Sequence, residues 1–300
     1  MCKEKDLNWE QDGVDYRGWV NVPLKDIDCY EYAENIEERY SLPKEAQIME
    51  GVPQGDIIEH EWKSQLVYPG VKGKYWVYVP KQYVGQEASL MVFLDGEAYI
   101  QEAKVPQVLD NMIYREEIPV MIGIFISPGD KGPGLPRYGG DDNRSIEYDS
   151  VDGRYAKFLE KEIISEVKKE YRISEDAGQH GICGISSSGN AAFAAAWNRN
   201  DLFTRVLTHV GSFTNIRGGY HFPPLIRKAK KKNIRIFLQT GEHDLNTCFG
   251  NWKIANQDMA SALEYKEYPY KLVIGPGAHS LRYGASILPE SLRWLWANNG

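Results

Sequence analysis

The sequence predicts an α/β protein with a mostly parallel central sheet and helices on both of its faces. Two observations support this fold class. The first strand-like runs alternate between polar and apolar residues, as antiparallel strands with one solvated face do, whereas the next runs are continuously apolar, as strands covered on both faces are. From residue 88 onward, strand-like runs also alternate with helical patterns, and this order favours parallel pairing through crossover helices.

Eight runs have the composition of strands, of which the first two alternate and the third and fourth are continuously apolar. In chain order they are HEWKSQLV (60–67), KYWVYVP (74–80), ASLMVFLDG (88–96), VMIGIFIS (120–127), HGICGIS (180–186), RVLTHVGS (205–212), IRIFLQTG (234–241) and YKLVIGPG (270–277). Helical patterns occupy 152–171, 189–199, 251–265 and 287–298. The last helix carries a proline in its first turn, where the missing amide costs nothing.

Residues 1–52 differ in pattern from the rest of the chain. They are charged, aromatic and poorly periodic, with breaks at Pro23, Pro43 and Pro53. We therefore expect an irregular N-terminal extension packed on the main domain over 1–52, and one α/β domain over 53–300.

Composition excludes several classes of function. The 300 residues carry a net charge of −7, and no long basic run is present, so a nucleic-acid partner is not expected. No segment approaches the roughly 20 apolar residues of a membrane span. The four cysteines show neither CxxC nor metal-site spacing, and we expect no disulfide framework, no metal and no organic cofactor.

Cys2 directly follows Met1, and it leaves two localisations open. It fits the lipid-acceptor cysteine of a secreted or lipid-anchored bacterial protein whose signal has been removed. A cytoplasmic start is equally compatible with this residue. The sequence gives no indication of the oligomeric state.

The stretch GICGISSSGN (181–190) places three serines between a strand-like run and an Ala-rich helix. This strand–turn–helix context is typical of a nucleophile elbow, with the pattern G-x-S-x-G. Counting from Gly184 places Ser186 at the nucleophile position, whereas counting to Ser187 would require a glycine at position 185, where isoleucine stands. Ser188 occupies the place of the second glycine, with Gly189 directly behind it. A Gly/Ser turn with a helix N-cap is the simpler alternative.

A serine hydroxyl needs a nearby base to become a nucleophile. In the chain order typical of this fold, an acid and then a histidine follow the serine. His279 follows the last predicted strand on a glycine-rich loop that can return over the elbow. The preceding strand is followed by Glu242 and Asp244, and we choose Asp244 because its shorter carboxylate fits a loop that meets an imidazole. Asp244 would then orient the imidazole, and His279 would move the proton.

A tetrahedral intermediate needs donors directed at its oxyanion. We expect one donor to be the backbone amide of Ser187, at the start of the elbow helix. The second should come from the loop FLDGEAY, where Glu97 or Ala98 would present an amide and Gly96 permits a tight turn. Asp95 in the same loop would brace it.

Substrate contacts are expected from aromatic residues near the predicted site and from one arginine. An aromatic acyl group could stack on such rings, and an arginine could meet a carboxylate or sugar hydroxyls. Core packing and surface ion pairing are the alternatives for each of them. The candidates are Tyr99, Phe213, Arg217, Tyr220 and Trp252. The Gly-rich segment 128–145 is expected to form a rim over the cleft.

The segments FLDGEAY, GISSSGNAAFAAAW, RVLTHVGSFTNIRGG, GEHDLN and GPGAHS together resemble the esterase family that includes enterochelin esterase and carbohydrate esterase family one, with its feruloyl and acetylxylan esterases. The resemblance covers about residues 50–298. It implies an α/β-hydrolase fold with Ser186, Asp244 and His279 as the triad. The chain departs from the family at Ser188, where relatives mostly carry glycine. Its DG in the third-strand loop, where many feruloyl esterases carry HG, is closer to the enterochelin esterases.

Three functions are therefore compared. The first is a serine carboxylesterase that cleaves feruloyl or acetyl esters of xylan in plant cell walls through an acyl-enzyme. The second keeps this chemistry but takes a ferric catecholate siderophore, against which the acidic net charge counts. The third is a non-catalytic module that binds carbohydrate. The expected partner is a small-molecule or polysaccharide ester substrate.

Overall fold

An eight-stranded sheet forms the centre of this computed structural model, which describes residues 40–131 and 143–297 and the backbone of a small hairpin, Glu10–Gln11 with Val14–Asp15. Cys2 and most of the predicted rim lie outside the described residues. The strands of the sheet are β1 (Asp56–Lys63), β2 (Lys72–Val79), β3 (Ser89–Leu94), β4 (Met121–Ile126), β5 (His180–Ile185), β6 (Arg205–His209), β7 (Arg235–His243) and β8 (Tyr270–Ala278).

The spatial order of the strands is β1-β2-β4-β3-β5-β6-β7-β8. Strands β1, β2 and β4 pair antiparallel, and all pairs from β4 through β3 to β8 are parallel. The prediction of a mostly parallel sheet preceded by two antiparallel strands is confirmed. Because the parallel strands run the same way, the loops after β3, β5, β7 and β8 leave the sheet at one edge.

Helices cover both faces of the sheet. They are α1 (Gly96–Gln101), α2 (Val105–Tyr114), α3 (Arg144–Tyr148), α4 (Arg154–Phe158), α5 (Ser165–Val167), α6 (Ser187–Asn198), α7 (Phe222–Lys228), α8 (Trp252–Tyr265), α9 (Arg282–Ser286) and α10 (Leu288–Trp296). A π-helical stretch, Leu159–Ile164, joins α4 to α5, and short 3₁₀ turns occupy Lys44–Ala46, Ala177–Gln179 and Gly219–His221.

The side chains of β3 show why its sequence is continuously apolar. Leu90, Val92 and Leu94 belong to the hydrophobic core on one face of the sheet, and Met91 and Phe93 belong to the core on the other. Successive residues of a strand point to opposite faces, so a strand with helices on both sides needs an apolar residue at every position.

Residues 40–52, the described end of the predicted extension, pack on the main domain. The side-chain amide of Asn111 donates to the carbonyl oxygens of Glu45 and Gln47, each at 2.9 Å. The Glu45 carboxylate also accepts from Arg293 at 3.0 Å, and Ala46 is buried in the core.

The boundaries of the first strand differ from the sequence prediction. Strand β1 begins at Asp56 and ends at Lys63, whereas residues 64–71 form a turn. Glu162 holds this turn, because its carboxylate accepts from the Ser64 hydroxyl and from the Val67 amide, both at 2.9 Å.

Within the described residues, no helix combines the length and apolar character that crossing a membrane requires.

Candidate active site

Ser186 lies at the turn between β5 and α6, in a backbone conformation that non-glycine residues seldom adopt. Its φ is 56° and its ψ is −124°. Glycine is needed two residues earlier, at Gly184, since a Cβ at that position would overlap the carbonyl group of Ser188. This strained turn lifts the Ser186 side chain out of the sheet edge, as a nucleophile elbow does.

The three residues that the sequence predicts as the catalytic triad are connected to one another by hydrogen bonds. The Nε2 atom of His279 lies 2.8 Å from the Ser186 Oγ atom. The Nδ1 atom of the same ring lies 2.6 Å from Asp244 Oδ1. With the Nδ1–H donating to Asp244, the unprotonated Nε2 accepts from the Ser186 hydroxyl, so the imidazole can act as a base.

The Asp244 carboxylate is held from its other side as well. Its Oδ2 accepts from the Thr240 hydroxyl at 2.6 Å, and its Oδ1 accepts from the Leu245 amide at 2.8 Å. The side chain of Asp244 is fully buried, and that of His279 is 19% exposed. Glu242, the alternative acid, is instead bound to Lys253 at 2.7 Å.

The two serines after Ser186 have separate partners. The Ser187 hydroxyl lies near the buried carboxylate of Asp149 and lowers its pKa, against the larger effect of burial, which raises it. Ser188 Oγ accepts from the Ile185 amide at 2.8 Å, and its own proton is shared between Asp95 Oδ2 at 2.8 Å and the Ile185 carbonyl at 2.7 Å. Ser188 therefore ties the elbow to the loop after β3.

The carboxylate of Asp95 also binds a guanidinium group. Arg144 donates to it through Nε at 3.0 Å and through Nη2 at 2.7 Å. Burial raises the pKa of the nearby Asp149, and this effect is partly offset by the Ser187 hydroxyl and by the Ser145 hydroxyl, which donates to Asp149 Oδ2 at 2.8 Å. These contacts make a polar support beneath Ser186 and the β3 loop.

Two backbone amides are candidates for binding an oxyanion. Among the described residues, neither the Ser187 amide nor the Glu97 amide makes a backbone hydrogen bond. The Ala98 amide donates to the Asp95 carbonyl oxygen at 3.0 Å, so the Ala98 alternative is less suited than Glu97. Both remaining amides lie in the first turn of a helix, where donors have no intrahelical partner.

A cleft of about 500 Å³ adjoins this loop. It lies between the start of α1 and the end of β4, next to the residue that precedes Ser186. Three carboxylates line it together with amide, hydroxyl and apolar groups. The lining residues are Asp95, Glu97, Ala98, Gln101, Glu102, Ser127, Pro128 and Ile185.

The predicted substrate-contacting residues are placed very differently from one another. Tyr99 is buried under the site, with its hydroxyl 2.8 Å from Nδ1 of His209, and Phe213 is buried against Phe193 and Phe222. These two rings contribute to the core, so the expectation of a substrate contact is corrected for both. Core packing, the alternative given for each of them, is what the structure shows.

The other three candidates differ from one another in exposure. Tyr220 is 53% exposed, while Arg217 is half-buried and donates to Ser145 Oγ at 3.2 Å. Trp252 is buried, and its ring meets that of His279 edge to face with centroids 5.7 Å apart. The Trp252 ring therefore packs against the imidazole.

Sequence reasoning missed Ser212, Arg144 and Asp149. Ser212 Oγ lies 3.2 Å from Ser186 Oγ and accepts from Trp252 Nε1 at 2.9 Å. No local pattern distinguishes this serine, because it reaches the elbow from the loop after β6, 26 residues away in the chain. Arg144 lies at the end of the segment that the sequence predicts only as a rim, and Asp149 lies just beyond that segment.

Comparison with known proteins identifies the relatives of this chain. The model of the Esterase family, described as "Putative esterase", matches residues 68–295. Iron(III) enterobactin esterase of Escherichia coli strain K12 is 25% identical over 196 residues, covering 63% of this chain and 45% of that protein. The chain thus matches less than half the length of this curated relative.

Solved structures with a similar fold include ferulic acid esterases and enterobactin esterases. A ferulic acid esterase from Anaeromyces mucronatus, solved with ferulic acid, has a TM-score of 0.67 and 12% identity, covering 87% of this chain and 98% of its own. The enterobactin esterase from Shigella flexneri, solved with 2,3-dihydroxy-N-benzoyl-glycine, has a TM-score of 0.65 and 22% identity, covering 81% and 61%. By its family match and its architecture, this chain belongs to the Esterase family and has the α/β-hydrolase fold.

Proposed function

We propose that this protein is a serine carboxylic ester hydrolase that works through an acyl-enzyme on Ser186. The observation that carries the proposal is the unbroken row from Ser186 Oγ to His279 at 2.8 Å and on to Asp244 at 2.6 Å. Membership of the Esterase family supports the same chemistry.

In the proposed acylation, His279 Nε2 takes the Ser186 proton while Oγ attacks the ester carbonyl carbon. Asp244 keeps the Nδ1 proton in place and stabilises the imidazolium. The amides of Ser187 and Glu97 bind the oxyanion. The C–O bond to the alcohol then breaks, and His279 delivers the proton to the leaving oxygen.

In the proposed deacylation, a water molecule takes the place of the alcohol. His279 accepts its proton as the water oxygen attacks the acyl carbon, and the acid product leaves when the bond to Ser186 Oγ breaks. The proton then returns from His279 to Ser186. A non-catalytic carbohydrate-binding module would not need this aligned row.

For the substrate, we favour feruloyl or acetyl esters of xylan over a ferric catecholate. The cleft beside the β3 loop is acidic, because Glu97 and Glu102 are exposed in its lining. Two cations near it already bind carboxylates, since Arg144 binds Asp95 and Lys74 binds Glu59 at 2.7 Å. An anionic ferric complex would be repelled here, whereas a neutral sugar ester would not.

Enterobactin-type trilactone hydrolysis is the second candidate. The name of the curated relative favours it, as does the identity of 22% to the Shigella flexneri structure against 12% to the Anaeromyces mucronatus one. Both candidate functions use the same catalytic residues, so they differ only in which substrate the cleft binds.

An ester panel with detection of the acyl adduct tests the chemistry. The wild type and Ser186→Ala are assayed with p-nitrophenyl acetate and methyl ferulate, and the adduct is located by mass spectrometry. We expect turnover and a Ser186 adduct in the wild type only. Equal turnover by the two proteins would contradict the proposal, as would failure of a fluorophosphonate to label the wild type.

A direct competition then separates the substrates. Feruloylated arabinoxylan, acetylated xylan and a ferric catecholate trilactone are compared by kcat/KM at equal ionic strength. We expect the xylan esters to be preferred. Glu97→Gln and Glu102→Gln should raise kcat/KM for the anionic trilactone and leave that for the neutral esters nearly unchanged. A trilactone preference in the wild type would reverse the assignment.

A further inference from the structure

We propose that Ser212 is a catalytic residue of this protein, one that donates a hydrogen bond to Ser186 Oγ and stabilises negative charge there when the acyl-enzyme breaks down. The inference rests on the proposed function, because it assigns a role within the acyl-enzyme pathway. It concerns a residue outside the row of Ser186, His279 and Asp244.

The direction of the hydrogen bonds follows from what each group can donate. The Trp252 indole N–H can only donate, so at 2.9 Å Ser212 Oγ is its acceptor. The Ser186 hydroxyl gives its proton to His279 Nε2 when the imidazole is ready to act as a base. At the 3.2 Å contact between the serines, the donor is therefore the hydroxyl of Ser212 and the acceptor is Ser186 Oγ.

The loop that carries Ser212 is held in a demanding conformation. Val210 has a φ of 44°, in the left-handed region that β-branched residues avoid. Its amide donates to the Gln239 carbonyl at 2.6 Å. Such strain persists only where surrounding bonds maintain it, and it concentrates at functional sites.

Two further bonds anchor the same loop. The Ser212 amide donates to the Ser186 carbonyl oxygen at 2.9 Å, and the Asn256 side chain donates to the Gly211 carbonyl at 2.9 Å. Ser212 is only 2% exposed, so its hydroxyl has little access to water as an alternative partner. The loop is thus fixed to the elbow with the Ser212 hydroxyl directed at the nucleophile.

The chemical effect of this bond differs between the two halves of the reaction. In the free enzyme Ser186 Oγ is a hydroxyl oxygen and a good acceptor, whereas in the acyl-enzyme it is an ester oxygen and a poor one. In the transition state that breaks the C–Oγ bond, the electron pair moves to Oγ, and a donor there stabilises it. His279 finally returns the proton to Oγ, and Ser212 keeps its own.

Loss of the Ser212 hydroxyl should therefore slow deacylation more than acylation. In acylation, removal of this hydroxyl takes a hydrogen bond from the starting state as well as from the transition state. The two losses partly cancel, so the activation barrier changes little. In deacylation, the acyl-enzyme loses little stabilisation, whereas the transition state loses the full hydrogen bond from Ser212, so the activation barrier rises. A merely structural role, in which Ser186 becomes misplaced, would slow both steps alike.

Stopped-flow kinetics with p-nitrophenyl acetate measure the two steps separately. For Ser212→Ala we expect deacylation to fall by about tenfold, the change that about 1.4 kcal/mol produces, and acylation to change by less than about threefold. Mass spectrometry should then show the acyl adduct accumulating on Ser186. Ser212→Thr retains the hydroxyl and should keep a partition between the steps close to that of the wild type.

Trp252→Phe provides a second variant, because it removes the N–H that orients the Ser212 hydroxyl. We expect the same shift toward accumulated acyl-enzyme, but a smaller one. Ser165→Ala is the matched control, since its hydroxyl bonds to the Lys161 carbonyl on an exposed helix away from the site. It should leave both rates unchanged.

Two results would overturn the inference, and they can be told apart. If the wild type forms an adduct on Ser186 but Ser212→Ala slows both steps equally, or neither, then Ser212 does not have this role. If no adduct forms on Ser186 in the wild type, the proposed function fails and the role of Ser212 fails with it.

Discussion

Replacing Ser188 with alanine should destabilise the protein, because this hydroxyl serves two buried groups. Ser188 is fully buried, and it accepts from the Ile185 amide at 2.8 Å while donating toward Asp95 at 2.8 Å. A buried amide left without a partner costs about 1–3 kcal/mol. Asp95 loses one of three hydrogen bonds but keeps the two from Arg144, so its loss is about 1 kcal/mol.

The expected total for Ser188→Ala is about 3 kcal/mol in the free energy of unfolding. In a domain of this size each kcal/mol lowers Tm by about 2–4 °C, so Tm should fall by about 6–12 °C. Urea unfolding and a thermal scan, both followed by circular dichroism, measure these quantities. Ser165→Ala is the control for a hydroxyl deletion outside the site.

Ser188→Gly installs the second glycine of the G-x-S-x-G pattern, and it should be no more stable than Ser188→Ala, because glycine weakens a helix further. A Ser188→Ala protein as stable as the wild type would refute the reasoning. It would mean that water replaces the hydroxyl, or that the contacts with Asp95 and Ile185 contribute nothing. Loss of activity without loss of stability would instead place the effect in the β3 loop.

Three further outcomes are expected. Asp244→Asn should lower kcat by about 10³–10⁴, because the amide lacks the charge that stabilises the imidazolium and its NH₂ group can donate to Nδ1, which favours the wrong tautomer; steady-state kinetics on a variant with native circular dichroism check this, and an unchanged kcat would exclude Asp244. Arg144→Gln should lower the free energy of unfolding by about 1–3 kcal/mol, since it leaves the mostly buried Asp95 carboxylate without its cation; urea unfolding that matches the wild type would contradict this. Burial lowers the pKa of His209 from its usual 6.5 to about 3. Between these values the unfolded chain binds a proton there and the folded protein does not, so stability falls as the pH falls, by up to about 1.4 kcal/mol per pH unit. His209→Asn should lose less stability than the wild type between pH 7 and 5 in urea titrations, and an equal loss would show that His209 does not contribute.

Helix α2 shows where sequence patterns failed. Its apolar residues recur at the spacing of an amphipathic helix, but the polar residues Asp110 and Asn111 are buried as well, and that spacing does not indicate their burial. Asp110 accepts from the hydroxyl of Tyr78 and from the amide of Gly55, each at 2.8 Å, and burial raises the pKa of Asp110. These partners lie far away in the chain, so no local pattern announces that the polar groups are satisfied inside the protein.

The candidate site likewise contains some residues that local sequence patterns predict and others that they do not. Ser186 could be selected from the spacing of glycines around it, because the turn tolerates little bulk, and Asp244 and His279 could be selected from their positions after strands. The prediction of substrate contacts was wrong for Tyr99 and Phe213, since an aromatic residue near a site looks the same in sequence whether it lines a cleft or fills the core.

By itself, then, the amino-acid order determined the class of sheet and the turn that carries the candidate nucleophile. Both depend on periodicity and on glycine, which act between neighbours in the chain. Only the tertiary structure decided which groups meet Ser186 from a distance: Ser212 at its Oγ, and Asp95 through Ser188. Those contacts depend on how the loops after β3 and β6 pack against the elbow, and packing between distant segments leaves no periodic trace in a sequence.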